Sequence, residues 1–259
     1  MLLELNHVTK SFGGVVATND VTASVKEGKI FSIIGPNGAG KTTLFNLITG
    51  AYTKTSGTIS FNGKQIDSLK PYEIHELGIA RTFQNIRLFN QMTVLENVMT
   101  GMHSRIKANA VESFIPFRSR RIEAEIVEKS MEALSIVGLA DKYAEYGTSL
   151  SYGQQRRLEI ARALVSDPKL LLLDEPAAGM NINESAELLE LIRWINSDLH
   201  KTIIFIEHNM RVVMNVSDYI LVLDHGTKIA EGDPETVSSD PVVIDAYLGS
   251  KKKGGDADA

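Results

Sequence analysis

Gly35-Pro36-Asn37-Gly38-Ala39-Gly40-Lys41-Thr42 fits the pattern G-x-x-x-x-G-K-[ST], with Thr43 next in line. Glycines at those positions let the backbone curl until its N–H groups point inward, an arrangement suited to phosphate oxygens. Lys41 is placed to reach the β and γ phosphates of a nucleoside triphosphate, and the Thr42 hydroxyl to ligate Mg²⁺. The buried-strand pattern of residues 29–34 precedes the loop, and the helical pattern of residues 41–49 follows it. The helix N-terminus therefore adds partial positive charge to the cradle. A chance Gly-rich turn would not carry both flanks. Alone, this pattern predicts a triphosphate site and leaves the reaction open.

A second constellation is Lys169-Leu-Leu-Leu-Leu-Asp174-Glu175-Pro176. Four consecutive leucines require a central strand, and ligands in open α/β folds bind beyond such strand ends. Asp174 is the candidate to hold Mg²⁺ through water. Glu175, one step on, is the candidate to polarise a water for attack on the γ-phosphorus. A third is Leu150-Ser151-Tyr152-Gly153-Gln154, standing before the helical pattern of residues 154–165. A serine and a glycine opening a helix offer a hydroxyl and free N–H groups, a second anion site with no obvious ligand in the same chain.

The elements that must position these groups follow from hydrophobic patterning. Residues 29–34, 170–173, 202–206 and 219–223 are short continuous apolar runs separated by helical patterns, which predicts a largely parallel sheet covered on both faces. Residues 2–10, 21–25 and 58–61 alternate apolar with polar, which predicts antiparallel strands over about 1–26 and 57–67. From about Leu88 to Val165 no strand signal occurs. Residues 121–137 are strongly helical, with Gly138 as the stop. The expected fold is thus α/β: a mixed-sheet core over 1–87 and 166–250 with an antiparallel layer, and a helical subdomain over 88–165. The polar residues 251–259 read as a disordered tail.

The phosphate loop, Ser151–Gln154 and the Asp174-Glu175 pair, in that order, resemble the signature set of ABC-type ATPases, and the resemblance extends from Leu3 to Leu248. It implies a P-loop NTPase (RecA-like) core and ATP hydrolysis with ATP and Mg²⁺. It also implies that Gln84, in Arg81-Thr-Phe-Gln-Asn, is the Q-loop glutamine at the metal and the attacking water. His208, in Phe205-Ile-Glu-His-Asn, becomes the switch histidine that orients the water or Glu175, and Phe12 the aromatic that stacks on adenine. In the family, the segment matching Ser151, Gly153 and Gln154 closes over the γ-phosphate held by a partner subunit. Two nucleotides are then sandwiched between two subunits, and hydrolysis opens the dimer. Two positions depart from the broad pattern: Tyr152 replaces a common glycine, and Asn181 replaces the usual aspartate of the inter-subunit loop. The other five histidines (His7, His75, His103, His200, His225) read as surface or strand-end residues.

Residues 78–97 and 175–181 are similar to the ATPase subunits of bacterial branched-chain amino acid importers, where Asn at position 181 is typical. Residues 103–121 are similar to an insertion in one of the two ATPase paralogues of such importers. The resemblance implies a second ATPase subunit (a paralogue or an identical copy), two integral membrane permease subunits, and an extracytoplasmic binding protein acting indirectly. It places the chain peripherally on the cytoplasmic face of the inner membrane. The segment around Phe89 and Met92 mixes apolar and polar side chains and reads as the permease-docking surface, whereas Val94, Leu95 and Val98 read equally well as core.

The 259 residues carry 27 Lys+Arg against 32 Asp+Glu and no cysteine. Zero Cys excludes disulfides, thiolate metal sites and a Cys nucleophile. The formal charge of −5 disfavours nucleic acid as a partner. No apolar run reaches the roughly 20 residues of a membrane span, and the N-terminus lacks secretory-signal features, so a cytosolic chain is expected. Three other functions share part of this pattern. An ATPase of a lipid or lipopolysaccharide exporter shares every catalytic motif. A non-transport ABC-type ATPase acting on nucleic acid or ribosomes would be expected to carry long insertions that are absent here. A P-loop kinase would leave Leu150–Gln154 unexplained.

Overall fold

The computed structural model describes residues 1–102 and 116–252. The chain opens on an antiparallel pair, β1 (Leu3–Phe12) and β2 (Val15–Val25). β3 (Ile30–Ile34) runs through the glycine-rich loop into α1 (Lys41–Ile48). β4 (Ser56–Phe61) and the two-residue β5 (Lys64–Gln65) return to the first layer. α2 (Pro71–Glu76) and β6 (Ile79–Arg81) lead to α3 (Val94–Met99), α4 (Pro116–Ile136) and α5 (Tyr152–Leu164). The last third alternates: β7 (Leu170–Asp174), α6 (Ile182–Ser197), β8 (Thr202–Ile206), α7 (Met210–Val216), β9 (Tyr219–Asp224) and β10 (Thr227–Gly232). Two helices, α8 (Pro234–Ser239) and α9 (Pro241–Lys252), close it.

Among the described residues the strands form two sheets. One has the order β2-β1-β4-β5 and is antiparallel; the other has the order β10-β9-β3-β8-β7-β6 and is parallel except for the β9–β10 edge. Successive residues of the central strands enter different hydrophobic clusters. Ile30, Ile34, Leu171, Leu173, Ile203 and Phe205 pack with the helices of residues 94–165 and with α6 and α7. Phe31, Ile33, Leu170, Leu172, Ile204 and Ile206 pack with α1 and the antiparallel sheet. Covering both faces is why these strands read as unbroken apolar runs. Each such leucine or isoleucine contributes roughly 1.5–3 kcal/mol by leaving water, so the strand ends that carry chemistry stand on the most heavily buried part of the chain.

The helical segment is knit to itself at its base, where Val94 and Leu95 donate backbone hydrogen bonds to the carbonyls of Glu145 and Tyr143. Val94 and Val98 are fully buried core residues. α4 ends at Ile136 with Gly138 in a left-handed conformation, and Gly138 and Leu139 donate back to Ser135 and Leu134. The similarity noted over residues 103–121 falls mainly on residues 103–115, outside the described residues; the chain is helical from Pro116. α9 continues to Lys252, two residues into the segment read as a tail, and residues 253–259 are likewise outside the described residues. Among the described residues no helix is long and apolar enough to cross a membrane.

Candidate functional site

The loop between β3 and α1 wraps one side of a cleft of about 320 Å³ that is also lined by Ala17, Gln84, Glu175 and His208. Two of its glycines are required by close approach. A Cβ on Gly35 would lie 2.0 Å from the Leu223 carbonyl oxygen, and one on Gly40 2.3 Å from that of Ala17. Gly40 is also the N-cap of α1 with φ +95°; no side chain caps this helix and no acid stands in its first turn. The N-terminal N–H groups are thereby left for an anion. Asn37, Gly38, Ala39, Thr42 and Thr43 form the rest of the wall, with Thr42 exposed, while Pro36 belongs to the loop but does not line the cleft.

Lys41 is buried and folds back so that Nζ donates to the carbonyls of Gly35 (2.8 Å) and Pro36 (2.9 Å). Burial lowers its pKa, opposed by the neighbouring Glu175 and Asp174 carboxylates. An ammonium desolvated in this way gains most from a multiply charged anion in the cleft.

β7 delivers the acidic pair. Asp174 is 1% exposed; its Oδ2 accepts from Arg81 Nη2 at 2.8 Å, while its Oδ1 is buried without a partner. Burial raises the pKa of Asp174, opposed by the Arg81 guanidinium. Arg81 is fixed in turn by Asn46 Oδ1 (2.6 Å) and by the rings of Phe45 and Phe83. Glu175 has φ +48°, a left-handed backbone for a non-glycine residue, which costs about 1–3 kcal/mol and is typical of functional turns. Both its oxygens are engaged: Oε1 lies 2.5 Å from His208 Nε2, and Oε2 accepts from Gln84 Nε2 at 3.1 Å. The three residues expected to be catalytic therefore meet on one carboxylate at the mouth of the phosphate loop.

Phe12, at the end of β1, is 42% exposed, edge-on to Tyr52 (centroids 5.1 Å apart) and beneath Lys10 Nζ. It does not line the cleft around Lys41. Ser151, Gly153 and Gln154 line a different cleft of about 230 Å³ with Arg157, Met180, Glu184 and Glu187. Ser151 caps α5 reciprocally with Gln154: Ser151 Oγ accepts from the Gln154 N–H, and Gln154 Oε1 accepts from the Ser151 N–H. Its hydroxyl proton is left for a ligand. The Gly35–Thr43 loop and the capped end of α5 thus line different clefts of the chain.

Three charged residues carry the site without having been singled out in sequence. Glu207 is buried and accepts from the backbone N–H groups of Ala177 (3.2 Å) and His208 (3.1 Å), tying the turn after Glu175 to the histidine. Burial raises its pKa against those hydrogen bonds. Arg81 holds Asp174, and Arg156 holds the backbone around Gln84. The departures also find roles. Asn181 caps α6, with Oδ1 accepting from the Glu184 N–H at 2.9 Å, and the Tyr152 hydroxyl accepts from Arg156 at 3.3 Å.

Residues 18–178 match the family model described as "ABC transporter", and residues 227–253 match "Branched-chain amino acid ATP-binding cassette transporter". The chain is 43% identical over 249 residues to the high-affinity branched-chain amino acid transport ATP-binding protein LivG of Salmonella typhimurium, covering 96% of this chain and 98% of that protein. Among solved structures it is similar to the ADP conformation of MJ1267, an ATP-binding cassette of an ABC transporter. The TM-score is 0.83 at 33% identity, covering 96% and 98% of the two chains. A dimeric post-hydrolysis state of the cassette MJ0796, bound to ADP and Pi, superposes with a TM-score of 0.76 at 26% identity over 90% of this chain and 99% of that one.

Proposed function

The chain belongs to the ABC transporter family of ATP-binding cassettes, and on that premise we propose that it is the ATP-hydrolysing subunit of a branched-chain amino acid importer. The observation that carries the mechanism is the meeting of Gln84, Glu175 and His208 at the mouth of the Gly35–Thr43 loop. The loop N–H groups and Lys41 bind the phosphates. Glu175, held from both sides by Gln84 and His208, orients the attacking water and takes its proton. Phe12 stacks on the base from the cleft's outer side.

A divalent cation suits the residues present. Asp174 keeps one buried oxygen without a partner, and the exposed Thr42 and Gln84 line the phosphate cleft, which Asp174 itself does not line. Thr42, Gln84 and Asp174 are the residues that would hold Mg²⁺, which when bound supplies positive charge against the phosphates.

The cleft at Ser151–Gln154 covers the γ-phosphate of a second ATPase subunit, so that triphosphate joins the two and hydrolysis parts them. Membrane subunits dock at the groove of about 640 Å³ lined by Phe83, Arg87, Phe89, Met92 and Arg162, holding the chain to the cytoplasmic face of the membrane. The match of residues 227–253 to a branched-chain amino acid transporter model favours import of these substrates over lipid export. The test is to isolate the membrane complex and measure ATP hydrolysis with its loaded binding protein. Leucine, isoleucine and valine should each stimulate turnover; stimulation by none of them would contradict the substrate assignment.

A further inference from the structure

Up to Thr82 the chain belongs to the six-stranded sheet: the Thr82 N–H donates to the Leu172 carbonyl at 2.9 Å, and its hydroxyl accepts from the Asp174 N–H at 3.4 Å. From Phe83 onward the backbone is held by α5 instead. Arg156 Nη1 donates to the Phe83 carbonyl at 2.7 Å, and Nη2 to that of Gln84. The Arg87 N–H donates to Glu159 Oε1 at 2.8 Å, and the Arg87 carbonyl accepts from Arg162. Residues 156, 159 and 162 lie three apart, so one stripe of α5 makes all of these contacts. Arg156 and Glu159 are 3% and 2% exposed and 3.1 Å apart. Buried charges such as these are retained at a desolvation cost and are weak evidence for stability alone.

The position of Gln84 gives them a use. Its backbone is fastened to α5, while its side chain rests on Glu175 of the core. The N-cap of the same helix, Ser151, opens the second cleft. We propose that Arg156 is a positioning residue that makes Gln84 and the Ser151 end of α5 move together, so that nucleotide bound in one cleft sets the placement of the other. A planar guanidinium bridging two successive carbonyls transmits displacement in a way that a single flexible ammonium does not. The inference rests on the reading of the two clefts as halves of ATP sites.

The experiment is amide hydrogen exchange on the full chain carrying Glu175→Gln together with the second ATPase subunit, with and without ATP and Mg²⁺, following residues 35–43 and 151–155 of this chain. With Arg156 intact both segments should gain protection. With Arg156→Gln, protection of 35–43 should persist and that of 151–155 should be lost, and Arg156→Lys should restore only part of it. Should the Gln variant not fold, the Lys variant carries the test through a reduced protection of 151–155 beside an unchanged 35–43. Protection of both segments unaltered in whichever variant folds overturns the inference alone. Absence of protection at 151–155 with Arg156 intact overturns the sandwich reading and this inference with it.

Discussion

Glu175 is the residue on which the chemistry converges, because its carboxylate is gripped by His208 and Gln84 on a left-handed backbone at the end of a fully buried strand. Glu175→Gln keeps the size of the side chain and leaves the phosphate loop untouched. Nucleotide binding should be retained while turnover falls by about 10²–10⁴, the usual worth of a general base; a binding titration beside phosphate-release kinetics checks both. Near-normal release would remove Glu175 from that role. Asp174 and Glu175 are legible in sequence because two acids cannot end a run of four leucines without a reason. Arg81, Arg156 and Glu207 are not. In sequence, a charge on a helix or at a strand end looks like solvated surface, and only the fold reveals that Arg156 and Glu207 are buried against backbone groups from distant segments.

The elements follow the same division. The central strands are readable because burial on both faces leaves no polar alternation, and the antiparallel layer because a half-wet sheet does. β6 and β10 give weaker signals: the first has only three residues, and the second is a half-exposed edge without an apolar run. Asn181 illustrates a local rule working with a functional one. It caps α6, an interaction worth about 1 kcal/mol, without the charge of an aspartate. The stretch between β6 and α3 divides into core and surface, with Val94 and Val98 buried and Phe89 50% exposed at the groove beside Arg87 and Arg162. Phe89→Ala or Met92→Ala should therefore reduce co-purification with the membrane subunits while leaving nucleotide binding by the isolated chain unchanged. Unaltered assembly and transport would place docking elsewhere.

Taken entire, the molecule presents two incomplete halves of one chemistry. The phosphate loop, Gln84, Glu175 and His208 line one cleft, Asp174 is buried at the strand end before Glu175, and the capped end of α5 lines another. In the function proposed above, the capped helix end of one chain complements the phosphate cradle of another. The family match implies membrane permease partners for this ATPase. The most direct measurement is the solution mass, by light scattering, of Glu175→Gln with the second ATPase subunit and the membrane subunits available. ATP with Mg²⁺ should bring two ATPase subunits together, and ADP should release them. A chain that binds ATP yet never pairs under any of these conditions would contradict the account.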